Sequence, residues 1–491
     1  MKYLLGYDIG SSSVKAALID IESGKPVATV FSPDTEMPIA SPKPGFAEQE
    51  PEMWWKELIN ASEQLRQNTG FKPDEIGAVG ISYQMHGLVC VDRSLKSLRP
   101  SIIWCDSRAV DIGNTAMKHL GEQFCLQRFL NAPGNFTASK LKWVKENEPH
   151  VYEKIYKVML PGDYIALKLS GEASTTVSGL SEGIFWDYST NGIATSLLKE
   201  YGIAESLLSP IVETFSVQAR LSEEAARELH IKAGTPIGYR AGDQPNNAYS
   251  LNVLQPGEIA ATAGTSGVVY GVTDTKPYDV KSRVNTFVHV NNTDEEPRFG
   301  VLLCVNGTGI LNSWLRKNFF DGVSYNAMNK QAEQVPVGAE GVKFYPFGNG
   351  SERILENADT GARLKDLHFN RHHRGHIARA AQEGIVFALN YGMEIMRSMN
   401  MELQTIRAGH ANMFLSEVFA STFANSTGCT IELFNTDGAL GAARAAGVGA
   451  RIYPSFADSF KGMEMIKRIE PNKEIAKQTE EVYHNWKAGM G

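Results

Sequence analysis

The 491-residue sequence is poor in cysteine, with five, at Cys90, Cys105, Cys125, Cys304 and Cys429. The number is odd and no CxxC pair occurs, which excludes a zinc framework or a disulfide scaffold and suits reduced thiols in a cytoplasmic protein. No apolar stretch approaches the ~20 residues that cross a bilayer, so no membrane span is expected. The opening MKYLLGYDIG is too brief for a signal peptide and is cut by Asp8. A basic excess is also missing: 48 Lys and Arg face 55 Asp and Glu, a formal net charge of -7. A general nucleic-acid surface needs the opposite balance. The common phosphate and metal signatures GxxxxGK[ST], GxGxxG and HExxH do not appear, so any phosphate must rest in another cradle.

What is present is an ordinary globular composition, 43% hydrophobic and 21% charged. A chain this long buries large cores without covalent staples, and at roughly 150 residues per domain it suggests two to four domains. Residues 2–10 read as a strand that stops at Gly10; three serines turn the chain into a second strand, VKAALID. A helix is expected from Pro51, and a buried strand over IGAVGISYQ (76–84). Alternating strands and helices favour an α/β architecture. From Pro236 the pattern resets: PIGYRAGDQ reads as a strand ending in an acidic loop, and IAATAGTSGVVYGV as strand, small-residue turn, strand. YDIGSSSVKA and ATAGTSGVVY set the same kind of turn between two strand-like runs about half a chain apart. Two similar lobes are the expectation, with one boundary near residue 245. Long helices are expected over 376–399 and 414–427, a close-packing one over GALGAARAAGVGA (438–450), and an amphipathic one from Pro471.

Several segments carry chemistry. In DIGSSSVK (8–15) a Gly-Ser turn can aim backbone N–H groups at phosphate, Ser11 and Ser12 add hydroxyls, Lys15 a positive charge, and Asp8 a carboxylate for magnesium. The bland alternative is a hairpin with Asp8 capping its turn. AGTSG (263–267) repeats that chemistry. Asp243, after an apolar strand, is placed as a general base or as a helix cap. Gln84 and His86 offer hydrogen bonds to hydroxyls, and Trp104 offers a ring face to a sugar. Asp106 and Arg108 read as an ion pair within the lobe. RHHRGH (371–376) has His372 and His376 one helical turn apart, without a third ligand, and reads as a polar lead-in to the long helix.

Taken in order, these segments resemble the FGGY family of carbohydrate kinases over nearly the whole chain, most of all its xylulokinases. DIGSSSVK is similar to the family's first phosphate hairpin, YQMHG (83–87) to its GQMHG, MLPGDYIALKLSGE (159–172) to its LxPKDYLxxxLTGE, and AGDQ (241–244) to its GGDN loop. AGTSG, HIARAAQEGIVF and GALGAARAA are similar to later family segments. The resemblance implies an α/β fold of two ribonuclease H-like, actin-type lobes with a central cleft: residues 1–245 carrying the sugar site and first hairpin, 246–491 the nucleotide site. It makes Asp243 the catalytic base, and Asp8 with Asp243 the metal-linked carboxylates. Gln84, Met85, His86, Trp104, Asp243 and Gln244 become the sugar set. Gly10, Ser11, Ser12, Lys15, Gly264, Thr265, Ser266, Gly309, Ser313, Gly409 and Asn412 become the nucleotide set. The implied reaction is ATP- and Mg2+-dependent phosphorylation of a ketopentose, D-xylulose at O5 being favoured. The rivals are another sugar or polyol, such as ribulose, and a non-catalytic nucleotide or sugar sensor. Small-molecule sugar and ATP are the implied partners, and a homodimer is compatible with the resemblance. The sequence departs from the pattern at Gln244, where Asn is usual, at Tyr83, where Gly is usual, and at AGHAN (408–412), in place of a glycine-rich adenosine loop.

Overall fold

The computed structural model describes residues Met1–Met490. They form two compact units. The first comprises Met1–Asn252, Phe287–Arg298 and Thr436–Met463; the second comprises Val253–Thr286, Phe299–Asn435 and the residues from Glu464 onward. The chain thus returns twice to the first unit, and the units are not simply the sequence halves 1–245 and 246–491 expected above.

In the first unit β1 (Tyr3–Ile9), β2 (Val14–Asp20) and β3 (Pro26–Ser32) form an antiparallel meander. Beside β1 and parallel to it runs β4 (Ile76–Tyr83). Its residues are all buried, as a glycine-punctuated apolar run predicts. β5 (Phe215–Arg220) and β6 (Pro236–Gly242) complete the order β5-β6-β4-β1-β2-β3, with β6 parallel to β4. The helix Pro51–Thr69 packs against β2 and β3. Pro51 opens it, where a missing N–H costs nothing, and Gly70, at φ 67°, closes it in the left-handed conformation.

The second unit repeats this plan. β7 (Glu258–Ala263), β8 (Gly267–Thr273) and β9 (Phe299–Val305) form the meander. β10 (Thr405–Gly409) runs parallel to β7, β11 (Thr430–Phe434) parallel to β10, and β12 (Met465–Ile469) closes the far edge. The two Gly-Ser/Thr turns singled out in the sequence are the first hairpin turns of the two sheets. Helix Arg374–Ser398 lies in the apolar core of this unit. The RHHRGH run is its cap: the imidazole Nδ1 of His373 accepts the N–H of Gly375 at 3.1 Å. Among the described residues no group of three or more His, Cys, Asp or Glu side chains is gathered as metal ligands, and no helix is long and apolar enough to cross a membrane.

Helix Gly438–Gly449 explains the second return of the chain. It lies on β1, β4 and β6 through backbone-to-backbone contact. A Cβ on Gly6 would lie 1.9 Å from the carbonyl oxygen of Ala439, one on Gly80 2.0 Å from that of Ala442, and one on Gly238 2.4 Å from that of Ala446. Three neighbouring strands each present a glycine to one helical stripe of alanines. Gly80→Ala should therefore force the helix off the sheet and cost about 1–3 kcal/mol. A thermal melt should show the first unit's transition lowered; an unchanged melt would mean the seat is looser than the geometry says.

Candidate active site

Because β1, β4 and β6 are parallel and adjacent, their C-terminal ends share one edge of the first sheet, the usual place for chemistry in such sheets. The register sets Ile9 opposite Tyr83 and Tyr83 opposite Gly242. Asp8, the segment Gln84–His86 and Asp243 are therefore brought to that edge by strand pairing alone. The N–H of Gln84 donates to the carbonyl of Ile9 at 2.8 Å, fastening the second segment to the first strand.

Asp8 accepts a hydrogen bond from the hydroxyl of Ser82 at 2.8 Å and pairs in register with Lys15 across the hairpin. Gly438 lies against it: a Cβ there would be 2.4 Å from Oδ2. Next to Gly438, Asp437 caps its helix by accepting the N–H of Leu440 at 2.9 Å. Burial raises the Asp437 carboxyl, the Asp8 carboxylate adds to the rise, and Lys15 opposes it. Lys15 thus faces carboxylates. Of the turn itself, the N–H of Gly10 donates to the carbonyl of Ser13 at 3.0 Å. The carbonyls of Ser11 and Ser12 accept from the side-chain amide of Gln49, at 2.7 Å, and from the N–H of Met37, at 2.8 Å. One of the expected anion-facing amides is therefore spent within the turn.

Asp243 does not sit in a loop, as the sequence suggested. β6 runs into a helix, Asp243–Ser250, whose first residue it is, and Gly242 occupies the cap position. Pro245 is tolerated there because the first helical turn needs no N–H partners. The Asp243 carboxyl is pushed up to about 7, first by burial and then by the Asp8 carboxylate; hydrogen bonds from Gln244 pull the other way. A carboxyl held near neutrality can take and return a proton at physiological pH. Asn246 ties the start of this helix to the other by donating its amide to the carbonyl of Gly438 at 2.9 Å.

Met85 is buried and its Cγ lies over Gly242, 2.6 Å from where a Cβ would be. His86 takes a left-handed φ of 61°. Its Nδ1–H donates to the main-chain carbonyl of Glu182 at 2.9 Å, and its ring meets Phe136 edge-on at 4.9 Å. Gln84 and Gln244 each leave a buried side-chain oxygen without a hydrogen-bond partner. Trp104 is half exposed, its indole N–H on the hydroxyl of Ser11 at 3.3 Å. Asp106 and Arg108 form the expected ion pair at 2.7 Å, both side chains buried.

In the second unit a cavity of about 780 Å³ is walled by Gly264, Thr265, Gly309, Ser313 and Asn412, all named from the sequence, and by His410 and Asn326, which were not. Ser266 and Gly409 stand beside this wall rather than in it: the Ser266 hydroxyl bonds to Cys304, and Gly409 ends β10. The N–H groups of Gly309 and Ile310 donate to the carbonyls of Gly264 and Thr265 at 2.9 and 3.1 Å. Gly309 is required there, since a Cβ would lie 2.1 Å from the Gly264 oxygen.

Sequence reasoning missed Lys140. In TASKLKWVKEN it reads as a helix-surface lysine, yet it is fully buried, and its ammonium donates to the carbonyls of His86 and Ile103, both at 2.9 Å. Burial pushes it down to about 7. Lys140 ties the His86 segment to the strand end that carries Trp104. Glu182 was missed as well. It lies in a G-x-S-x-G spacing at 179–183, but the serine is on a helix, its hydroxyl bonded to the carbonyl of Ser178, so no nucleophile turn is formed.

Known proteins agree with this architecture. Residues 3–249 match the FGGY family of carbohydrate kinases, N-terminal domain, and residues 259–450 its C-terminal domain. The chain is 27% identical over 463 residues to the xylulose kinase of Bacillus subtilis, covering 93% of this chain and 90% of that one. The structure of a xyloylose kinase from Brucella ovis superposes with a TM-score of 0.88 at 26% identity, over 99% of this chain and 98% of that one. A gluconate kinase from Lactobacillus acidophilus, at 22% identity, shares the fold with a TM-score of 0.87, over 99% and 97% of the two chains. Two lobes of the ribonuclease H-like, actin-type plan, matched by both family domains, place the chain in a phosphotransferase class. Within it, the chain belongs to the FGGY family of carbohydrate kinases.

Lys140→Met should leave the His86 and Ile103 carbonyls buried without a donor, at a cost of about 1–3 kcal/mol. Calorimetry should then find the Tm lowered by about 2–10 °C. A Tm equal to the parent's would mean those carbonyls find other partners.

Proposed function

We propose that this kinase transfers the γ-phosphoryl group of ATP to a hydroxyl of a neutral ketopentose, with D-xylulose at O5 the favoured acceptor. The observation that carries the reading is Asp243, at the C-terminal edge of three parallel strands with its carboxyl near neutrality. Asp243 takes the hydroxyl proton as the oxygen attacks in line. Met85 and His86 form the sugar wall, with Gln84, Gln244 and Trp104 around it. Residues 1–245 then supply the sugar site and 246–491 the nucleotide site. The cavity beside Gly264, Thr265 and Gly309 suits a nucleotide in volume, being within the usual ligand range of about 300–1,000 Å³.

The balance of polar groups favours a neutral sugar over a sugar acid. Asp8, Asp243 and Asp437 already crowd three carboxyls at this edge, to which a carboxylate substrate would add a fourth. The unpartnered buried oxygens of Gln84 and Gln244 are acceptors that lack donors. A polyhydroxylated, uncharged ligand brings donors and no charge. The name of the Bacillus subtilis relative, a xylulose kinase, supports xylulose as the favoured member of that class.

The residues also fit magnesium. Asp8 and Asp243 are close enough for one to raise the other, a repulsion that a divalent cation removes, and magnesium is commonly held by one or two carboxylates with waters and phosphate oxygens. When bound it would neutralise charge on the transferred group.

The test is ADP release with a panel of xylulose, ribulose, other ketoses, polyols and gluconate. Xylulose should give the highest kcat/KM and gluconate none. Asp243→Asn should lower turnover at least about 10²-fold while sugar binding persists. Near-parental turnover in that variant removes Asp243 as the base. A lack of stimulation by every compound favours a sensor.

A further inference from the structure

Glu182 ends the short helix Val177–Glu182, is only 2% exposed, and has the phenol of Tyr83, not a cation, beside its carboxyl. Such a group costs stability, and a fold that keeps one needs a reason. Its neighbours supply the reason. A Cβ on Gly242 would lie 2.6 Å from Glu182 Oε2 and 2.6 Å from Met85 Cγ. The carboxyl and the Met85 chain therefore share the bare face of the residue that precedes Asp243. The main-chain oxygen of Glu182 meanwhile receives the His86 Nδ1–H at 2.9 Å. Behind the carboxyl stand the buried phenol of Tyr83, whose ring lies on Gly162, and the ion pair of Arg240 with Asp163 at 3.1 Å. One residue thus meets the His86 ring through its carbonyl and shares with Met85 the face of Gly242, which carries Asp243.

We propose that Glu182 is a positioning residue of the sugar site, wedging Met85 and the Gly242–Asp243 junction into place through its carboxyl; this rests on the reading of Asp243 as the base. The shape of the side chain, filling the space between Met85 and the Gly242–Asp243 junction, is what the site needs. Truncation to alanine empties the space beside Met85, an unbranched side chain that readily moves into gaps. The sugar wall and the start of the Asp243 helix then shift together.

Steady-state kinetics with the panel's best sugar, beside a thermal melt, test this. Glu182→Ala should lower kcat/KM for sugar at least about tenfold, with the ATP KM moved less than about twofold, since misplacement of about 1 Å costs up to 10²-fold. Its Tm should stay within about 3 °C of the parent's, because lost packing is offset by loss of a buried acid that has no cation beside it. Glu182→Gln, of the same shape and neutral, should restore most of the lost turnover. A lower Tm with parental sugar kinetics overturns the proposal, as does a Gln variant no better than Ala. If the Ala variant does not fold, Glu182→Leu carries the same kinetic expectation, and parental sugar kinetics in it are equally fatal. A parent inactive on every sugar overturns the base reading and this one together, whereas an active parent with an unaffected Ala variant overturns this one alone.

Discussion

The backbone contact between helix Gly438–Gly449 and the glycines of β1, β4 and β6 is the constraint on which the rest depends. No side chain separates helix from sheet at Gly6, Gly80 and Gly238. The helix therefore enters at a fixed height, and its first residue, Gly438, is pressed on Asp8. The same residue's carbonyl anchors Asn246, three residues after Asp243. The two carboxylates are set by one helix start, and their distance from water and from each other follows from it.

The seat has an electrostatic consequence. Asp243 and Asp437 lie beside Asp8, and burial raises both of their carboxyls. A carboxyl whose pKa is higher folded than unfolded takes stability away as pH rises from its unfolded value near 4 to its folded value, here about 7 for Asp243, and the penalty stays constant above that. The fold thus gives up stability to hold a buried carboxyl that titrates near working pH. Glu182 extends the pattern with a further buried acid beneath the same junction.

Much of this was legible in the sequence. The parallel strand at 76–83, the two matching hairpins and the small-residue helix each have a pattern with one physical reading: glycines for close approach, β-capable runs for burial. The motif order pointed to Asp8, Asp243 and the Gly264–Gly309 region. The sequence offered Asp243 as a helix cap as well as a base; the helix starts one residue earlier than a cap at Asp243 would have it, with Gly242 in the cap position. The sequence did not disclose Lys140 or Glu182. Both lie in polar-looking helical segments, and their burial depends on strands distant in the chain. Ser266 and Gly409 sat in matching motifs but beside the cavity wall, since a motif gives neighbours in sequence and the wall is chosen by which way each residue turns.

The proposed role of Asp243 as a proton acceptor requires that burial and Asp8 hold its carboxyl near neutrality. Carboxyl-carbon NMR of protein labelled at aspartate, with the Asp243 signal identified by its loss in Asp243→Asn, measures this directly. The account predicts a titration midpoint near 7 that falls when Asp8 is replaced by Asn. A midpoint near the ordinary aspartate value of about 4, indifferent to Asp8, would contradict it.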